Sequence, residues 1–132
     1  MIHKIKIELM NKFEMQDIGE LSLFLGMKIH RNFEKGEITI NQEQYLDKIL
    51  LKYNMQDCNP IETPMEVKLN LQSEDESCDK PYRELLGSLL FAMLGSRPDL
   101  NFALSYLSRS QNQPTETAWK SLKRVLRYIS GT

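Results

Sequence analysis

The stretch Tyr82-Arg-Glu-Leu-Leu-Gly-Ser-Leu-Leu-Phe-Ala-Met-Leu94 decides how the chain is put together. Its leucines, with Phe91 and Met93, surround a helical wheel almost completely. A helix that is apolar all round needs cover on every side, so this one is predicted to be central to a bundle. Working outward, Ser96-Arg-Pro-Asp99 offers the start of a second helix. Ser96 would be its N-cap and Pro98 would lie in its first turn. That helix is expected to run to about Ser110. Pro114 marks the start of a last helix, which reaches about Ile129 and ends at Gly131.

Toward the N-terminus, Asn41-Gln-Glu-Gln44 has the form of a capping box. The helix it would open places Tyr45, Leu46, Ile49, Leu50 and Tyr53 on one side and leaves Leu51 off that side. Before it, Leu21, Leu23, Leu25, Met27 and Ile29 alternate with Ser22, Phe24, Gly26, Lys28 and His30. Period two marks a half-buried strand. Asn32-Phe-Glu-Lys-Gly36 can turn the chain, and Glu37-Ile-Thr-Ile-Asn41 reads as the return strand of a β-hairpin. Gly26 inside the first strand marks either a close approach by another backbone or a bulge. Ile2, Ile5, Leu9 and Phe13 stand at helical spacing, with Gly19 a break after them.

From Met55 to Lys80 periodicity fades. Asn59-Pro60, Thr63-Pro64 and the acids around Glu74 suggest a long irregular connection. The fold class expected is therefore α+β. A helix and β-hairpin occupy residues 1–41, and a mostly helical region fills residues 42–132, with an acidic linker at 55–80.

With 132 residues, 41% hydrophobic and 27% charged, the chain has the composition of a globular protein of one domain or a large part of one. No apolar run approaches a membrane span, and the N-terminus lacks a signal-peptide core. An intracellular setting, cytoplasmic or nuclear, is expected. Cys58 and Cys78 read as reduced thiols, and with His3 and His30 they form no zinc-ligand spacing. No metal site is expected.

The net charge is −1, which is not the footprint of an autonomous nucleic-acid binder. It is unevenly spread. Glu62 to Asp79 holds six acids and one lysine, net −5; Ser108 to Thr132 holds five bases and one acid, net +4. On the last helix Lys120, Lys123, Arg124 and Arg127 fall in one arc of about 100°, opposite Trp119, Leu122, Val125, Leu126 and Ile129. Such a stripe can track a phosphate backbone, or it can be the solvated face of a surface helix. No catalytic constellation stands out. Asp17 with Glu20, and Glu74-Asp75-Glu76, are carboxylates without a core strand to aim them, and no nucleophile motif, GxGxxG or Walker sequence is present.

Three segments carry a family resemblance. They are Phe13 to Leu21 with Phe24-Leu-Gly-Met27; Gln42 to Leu50 with Thr63-Pro64; and Tyr82 to Phe91, Arg97-Pro-Asp99, Leu107-Ser-Arg109, Pro114-Thr115, Trp119 and Lys123 to Thr132. In series they resemble the C-terminal part of the reverse transcriptase of copia-type retrotransposons, within the Pol polyprotein. The resemblance implies that residues 1–41 end the polymerase palm, with the hairpin near the primer terminus. It implies that residues from 42 onward form the thumb and the start of a connection toward RNase H.

On that resemblance Gly26, Lys28, Lys120, Lys123, Arg124 and Arg127 are candidate nucleic-acid contacts. The partners implied are the template–primer duplex and the missing palm, fingers and RNase H parts, with no membrane. Arg97 matches a family motif that a capping or salt-bridge role explains equally well. The family's catalytic aspartate motifs are absent. The chain alone is expected to be inactive and to need no cofactor, magnesium being expected only for the complete polymerase. Ser110 and Ala118 depart from the larger residues expected there. The alternative is a non-catalytic helical module that binds nucleic acid or protein.

Overall fold

The computed structural model describes residues 1–71 and 76–132. Among these residues it is α+β, with five α-helices and one three-stranded antiparallel sheet in the order β1-β2-β3. The elements are α1 (Ile2–Lys12), β1 (Leu23–Phe24), β2 (Met27–Asn32), β3 (Glu37–Asn41), α2 (Glu43–Lys52), α3 (Tyr82–Gly95), α4 (Asn101–Leu107) and α5 (Glu116–Ser130). Short 3-10 turns, Pro98–Leu100 and Ser108–Ser110, flank α4.

The expected hairpin forms from β2 and β3, with Ile29 opposite Ile40 and Arg31 opposite Ile38. The single strand expected from Leu21 to Ile29 does not. Leu25 and Gly26 both have positive φ, 50° and 78°, and reverse the chain between β1 and β2. Two left-handed central residues make the tight turn whose twist suits a hairpin. Gly26 is therefore a turn residue rather than a bulge within a strand, and a β-carbon there would meet nothing within 4 Å. Because Phe24 pairs with Met27, one face of the sheet carries Phe24, Met27, Ile29, Ile38 and Ile40, and the other carries Lys28, His30 and Thr39.

None of residues 1–41 is buried; every buried residue described lies from Gln42 onward. Helix α1 buries nothing, and Ile2, Ile5, Leu9 and Phe13 all stay exposed. It ends at Lys12 with Phe13 as its C-cap, as the spacing from Ile2 to Phe13 predicts, and residues 13–22 form no helix and no strand. Asp17 turns back to accept from Lys6 Nζ at 2.7 Å and from the Gly19 amide at 3.0 Å.

The core is helical. Helix α2 turns Ile49 and Leu50 into it, with Tyr45, Leu46 and Tyr53 packed alongside and Leu51 exposed. The capping box is not used. Asn41 stays in β3 paired with Lys28, and Gln42 becomes the N-cap without a side-chain cap bond. Gln42 is almost fully buried, and its Oε1 accepts from the Ser96 hydroxyl at 2.7 Å. Ser96 is thereby drawn off the expected capping role, and Arg97 precedes the 3-10 turn instead.

Helix α3 packs against α2, α4 and α5, as a central helix should, but leaves one side open. It buries Tyr82, Leu85, Leu86, Leu89 and Ala92, while Phe91 is exposed and Leu94 is 81% exposed. The Tyr82 hydroxyl donates to the Leu107 carbonyl at 2.8 Å, tying α3 to α4. The surrounded helix is α5. Thr115 caps it, accepting from the Ala118 amide at 3.2 Å. From Glu116 to Ser130 only Lys120 is exposed. Helices α2, α3 and α4 cover its apolar side, where Leu122, Val125 and Leu126 are fully buried. The connection covers much of the rest.

That connection contains no helix or strand among its described residues, only a bridge from Ser77 to Thr115. It is nonetheless packed. Met55 is buried, and Met65, Leu69 and Leu71 lie against the core. Of the acidic run at Glu74-Asp75-Glu76, the first two residues lie outside the described residues.

Candidate nucleic-acid interface

The four cations of α5 meet at one cleft of about 450 Å³, between the helix and the connection. Its lining includes Lys120, Lys123, Arg124 and Arg127, with Met55 and Leu69 as apolar wall and Glu66 as a carboxylate at the edge. The helical spacing of the four residues puts them on one side. The burial of Trp119 and Leu122 on the opposite side fixes which way that side faces. Trp119 is 8% exposed and packs edge-on against Tyr53, ring centroids 6.1 Å apart.

The four are not equivalent. Arg127 Nε donates to the Asn59 carbonyl at 2.7 Å. Arg124 Nη2 donates to Thr63 Oγ1 at 3.0 Å, and its Nη1 reaches Glu66 Oε1 at 3.4 Å. Arg124 Nε is buried without a hydrogen-bond partner among the described residues. Among the described residues no hydrogen bond or ion pair engages Lys123, whereas Lys120 feels the charge of Glu116. The stripe read from the sequence is thus two lysines facing the cleft and two arginines fastening the connection. Nothing in the sequence pattern pointed to Asn59, Thr63 or Glu66 as their partners, because the connection has no periodicity to place it against α5.

The other candidates lie elsewhere. Gly26 is in the β1–β2 turn, and Lys28 is exposed on the polar face of β2 between Leu23 and Asn41. No hydrogen bond or ion pair described joins them to α5. Arg97 has a local task. It chelates Asp99 at 3.1 and 2.9 Å, donates to Thr132 Oγ1 at 2.6 Å and lies over the Tyr128 ring at 5.4 Å. The guanidinium holds the Asp99 carboxyl below its ordinary value, although partial burial opposes this. At the start of α5, Lys80 pairs with Glu116 at 2.6 Å and likewise lowers that carboxyl. Among the described residues no three His, Cys, Asp or Glu side chains gather as they would around a metal ion. No helix among the described residues is long and apolar enough to cross a membrane.

A family model described as reverse transcriptase (RNA-dependent DNA polymerase) matches residues 1–67. The chain belongs to the reverse transcriptase family. Across its whole length the chain is 33% identical to the retrovirus-related Pol polyprotein from transposon TNT 1-94 of Nicotiana tabacum, of which it spans 11%. It is 34% identical to the retrovirus-related Pol polyprotein from transposon RE1 of Arabidopsis thaliana, of which it spans 9%. An uncharacterized mitochondrial protein of the same plant is 31% identical and is spanned to 55%. The chain therefore covers from about a tenth to about half of these relatives. The resemblance to copia-type transposon polymerases is borne out at the level of family and polyprotein. No solved structure matches this reverse transcriptase chain.

Proposed function

We propose that the chain is a non-catalytic part of a retrotransposon RNA-directed DNA polymerase that helps to hold the template–primer duplex. Residues 1–41 complete the palm, and residues 42–132 form the thumb and the first part of a connection toward RNase H. The observation that carries this reading is the gathering of Lys120, Lys123, Arg124 and Arg127 at one cleft. Four cations on one helix side suit a phosphate backbone, which binds through charge rather than sequence. Gly26 and Lys28, on the β1–β2 turn and its second strand, would approach the primer. The bare apolar surface of α1 and the sheet suits cover by the remaining palm and fingers. Magnesium would serve only that complete enzyme, in an intracellular setting.

The test is a salt titration of binding to an RNA–DNA hybrid duplex, for the parent chain and for Lys120→Gln/Lys123→Gln. Two phosphate contacts from the lysines give a log–log slope of about −1.8 on B-DNA, and four give about −3.6. The parent should bind weakly with a slope in that range, and the double variant should lose most of it. Equal binding by the two proteins refutes the reading.

One observation favours a second reading, a self-sufficient helical module for nucleic acid or protein. The helical body contains every buried residue described, with none contributed by residues 1–41. Failure of the chain to associate with the upstream part of a related polymerase, with duplex binding intact, would select it.

A further inference from the structure

We infer that Arg124 is the seat of one backbone phosphate, and that Glu66 occupies that seat in the free chain as an exchangeable internal counter-ion. This rests on the proposed grip on nucleic acid and adds its regulation.

The connection is fastened at both ends of the cleft. At one end Arg127 Nε holds the Asn59 carbonyl at 2.7 Å, and the Ile61 amide returns to the Arg127 carbonyl at 3.4 Å. Pro60 sits there so close to Gly131 that a β-carbon on the glycine would be 2.7 Å from it. At the other end the Tyr106 hydroxyl donates to the Leu69 carbonyl at 2.9 Å. Between these ends the bonds from Thr63 and Glu66 both go to Arg124.

The Glu66 bond is the weak member. At 3.4 Å it is long for a charge-assisted bond, whose ordinary range is about 2.7–2.9 Å. The Glu66 side chain is 64% exposed, so it can turn to water with little loss, while Arg124 is only 27% exposed. The guanidinium is under-used. Its buried Nε has no partner among the described residues, although the group is built to grip two oxygens at once. A phosphodiester offers two acceptor oxygens and a full negative charge, and so satisfies this fork better than one distant carboxylate oxygen. Lys120 and Lys123 on the same helix side supply the surrounding positive field. Entry of the phosphate releases Glu66 and loosens the middle of the connection, while its two ends stay tied.

The experiment compares hybrid-duplex binding across salt for the parent, Glu66→Gln and Glu62→Gln, with circular dichroism checking the fold of each. Glu62 is a second exposed acid on the same connection with no bond to α5. Glu66→Gln should bind about fivefold more tightly, the upper range of an exposed ion pair, at an unchanged slope, because the same phosphate fills the seat in both proteins. Glu62→Gln should gain less. Equal gains in the two variants reduce the effect to bulk charge and overturn the seat, as does no gain in Glu66→Gln. The underlying grip fails in a different way, by equal binding of the parent and the double lysine variant.

Discussion

The buried amide of Gln42 lies directly over Gly95: a β-carbon on the glycine would stand 2.5 Å from Gln42 Nε2. Gln42 has no room to retreat, since it is 1% exposed and its Oε1 is bonded to Ser96. Gly95→Ala should therefore destabilise the chain by about 1–3 kcal/mol through overpacking. Gly87, in the same helix, is exposed and has nothing within 4 Å of its missing β-carbon. Gly87→Ala should stabilise by about 0.5–1 kcal/mol. Urea denaturation of both variants checks this. Shifts of the same sign would contradict the packing described.

Trp119 joins α5 to α2 through Tyr53. Trp119→Ala should cost about 3–5 kcal/mol. It should also expose Tyr53, which burial holds above the ordinary phenol pKa of 10.0. Denaturant titration gives the first quantity, and spectrophotometric tyrosine titration reads the second.

Residues 1–41 should open before the helical body. They bury no side chain, and β1 is two residues long. A small sheet without cover is marginal. Amide exchange in β2 and β3 should be faster than in α3 and α5, and limited proteolysis should remove residues 1–41 while sparing the described span 55–71. Early cutting within 55–71 would show that its bonds to Arg124, Arg127 and Tyr106 do not hold it down.

Acid should weaken the helical body. Asp99 and Glu116 are lowered from ordinary values of 3.8 and 4.5, chiefly by Arg97 and Lys80. A lowered carboxyl stabilises the fold above its ordinary value, and that contribution fades as pH falls through the lower folded value. Lys80 is raised from 10.5, so its share is present below that value and is lost in stronger alkali. The effect is small, because the Asp99 and Glu116 side chains keep about a third of their surface in water, which screens both pairs. Melting temperature followed from neutral pH downward should decline less for Asp99→Asn than for the parent.

The sequence showed the helices better than their relations. The faces of α2 and α5 follow from Ile49, Leu50, Trp119 and Leu122, because a period of 3.6 is local information. The β1–β2 turn was hidden. Leucine rarely adopts positive φ, so Leu25-Gly26 carries little of the signal that Asn-Gly would, and the alternation runs unbroken through it. Ser96 was read as a cap, but Gln42, a residue 54 positions away, claimed its hydroxyl. The basic stripe was legible as a stripe. Its division into lysines that face the cleft and arginines that fasten the connection was not, because the partners come from the connection, where only tertiary contact decides position.

The order of the two halves along the chain has a consequence for biosynthesis. The part that shelters none of its own apolar side chains precedes the part that forms a core by itself. At about 5–20 residues per second, a ribosome needs roughly five to twenty seconds to add the helical body, residues 42–132, after Asn41. Throughout that interval Ile2, Phe13, Phe24 and Ile38 are open to whatever binds nascent apolar segments. Completing the helical body does not end their exposure, so a chaperone that takes hold early has no signal from this chain to let go.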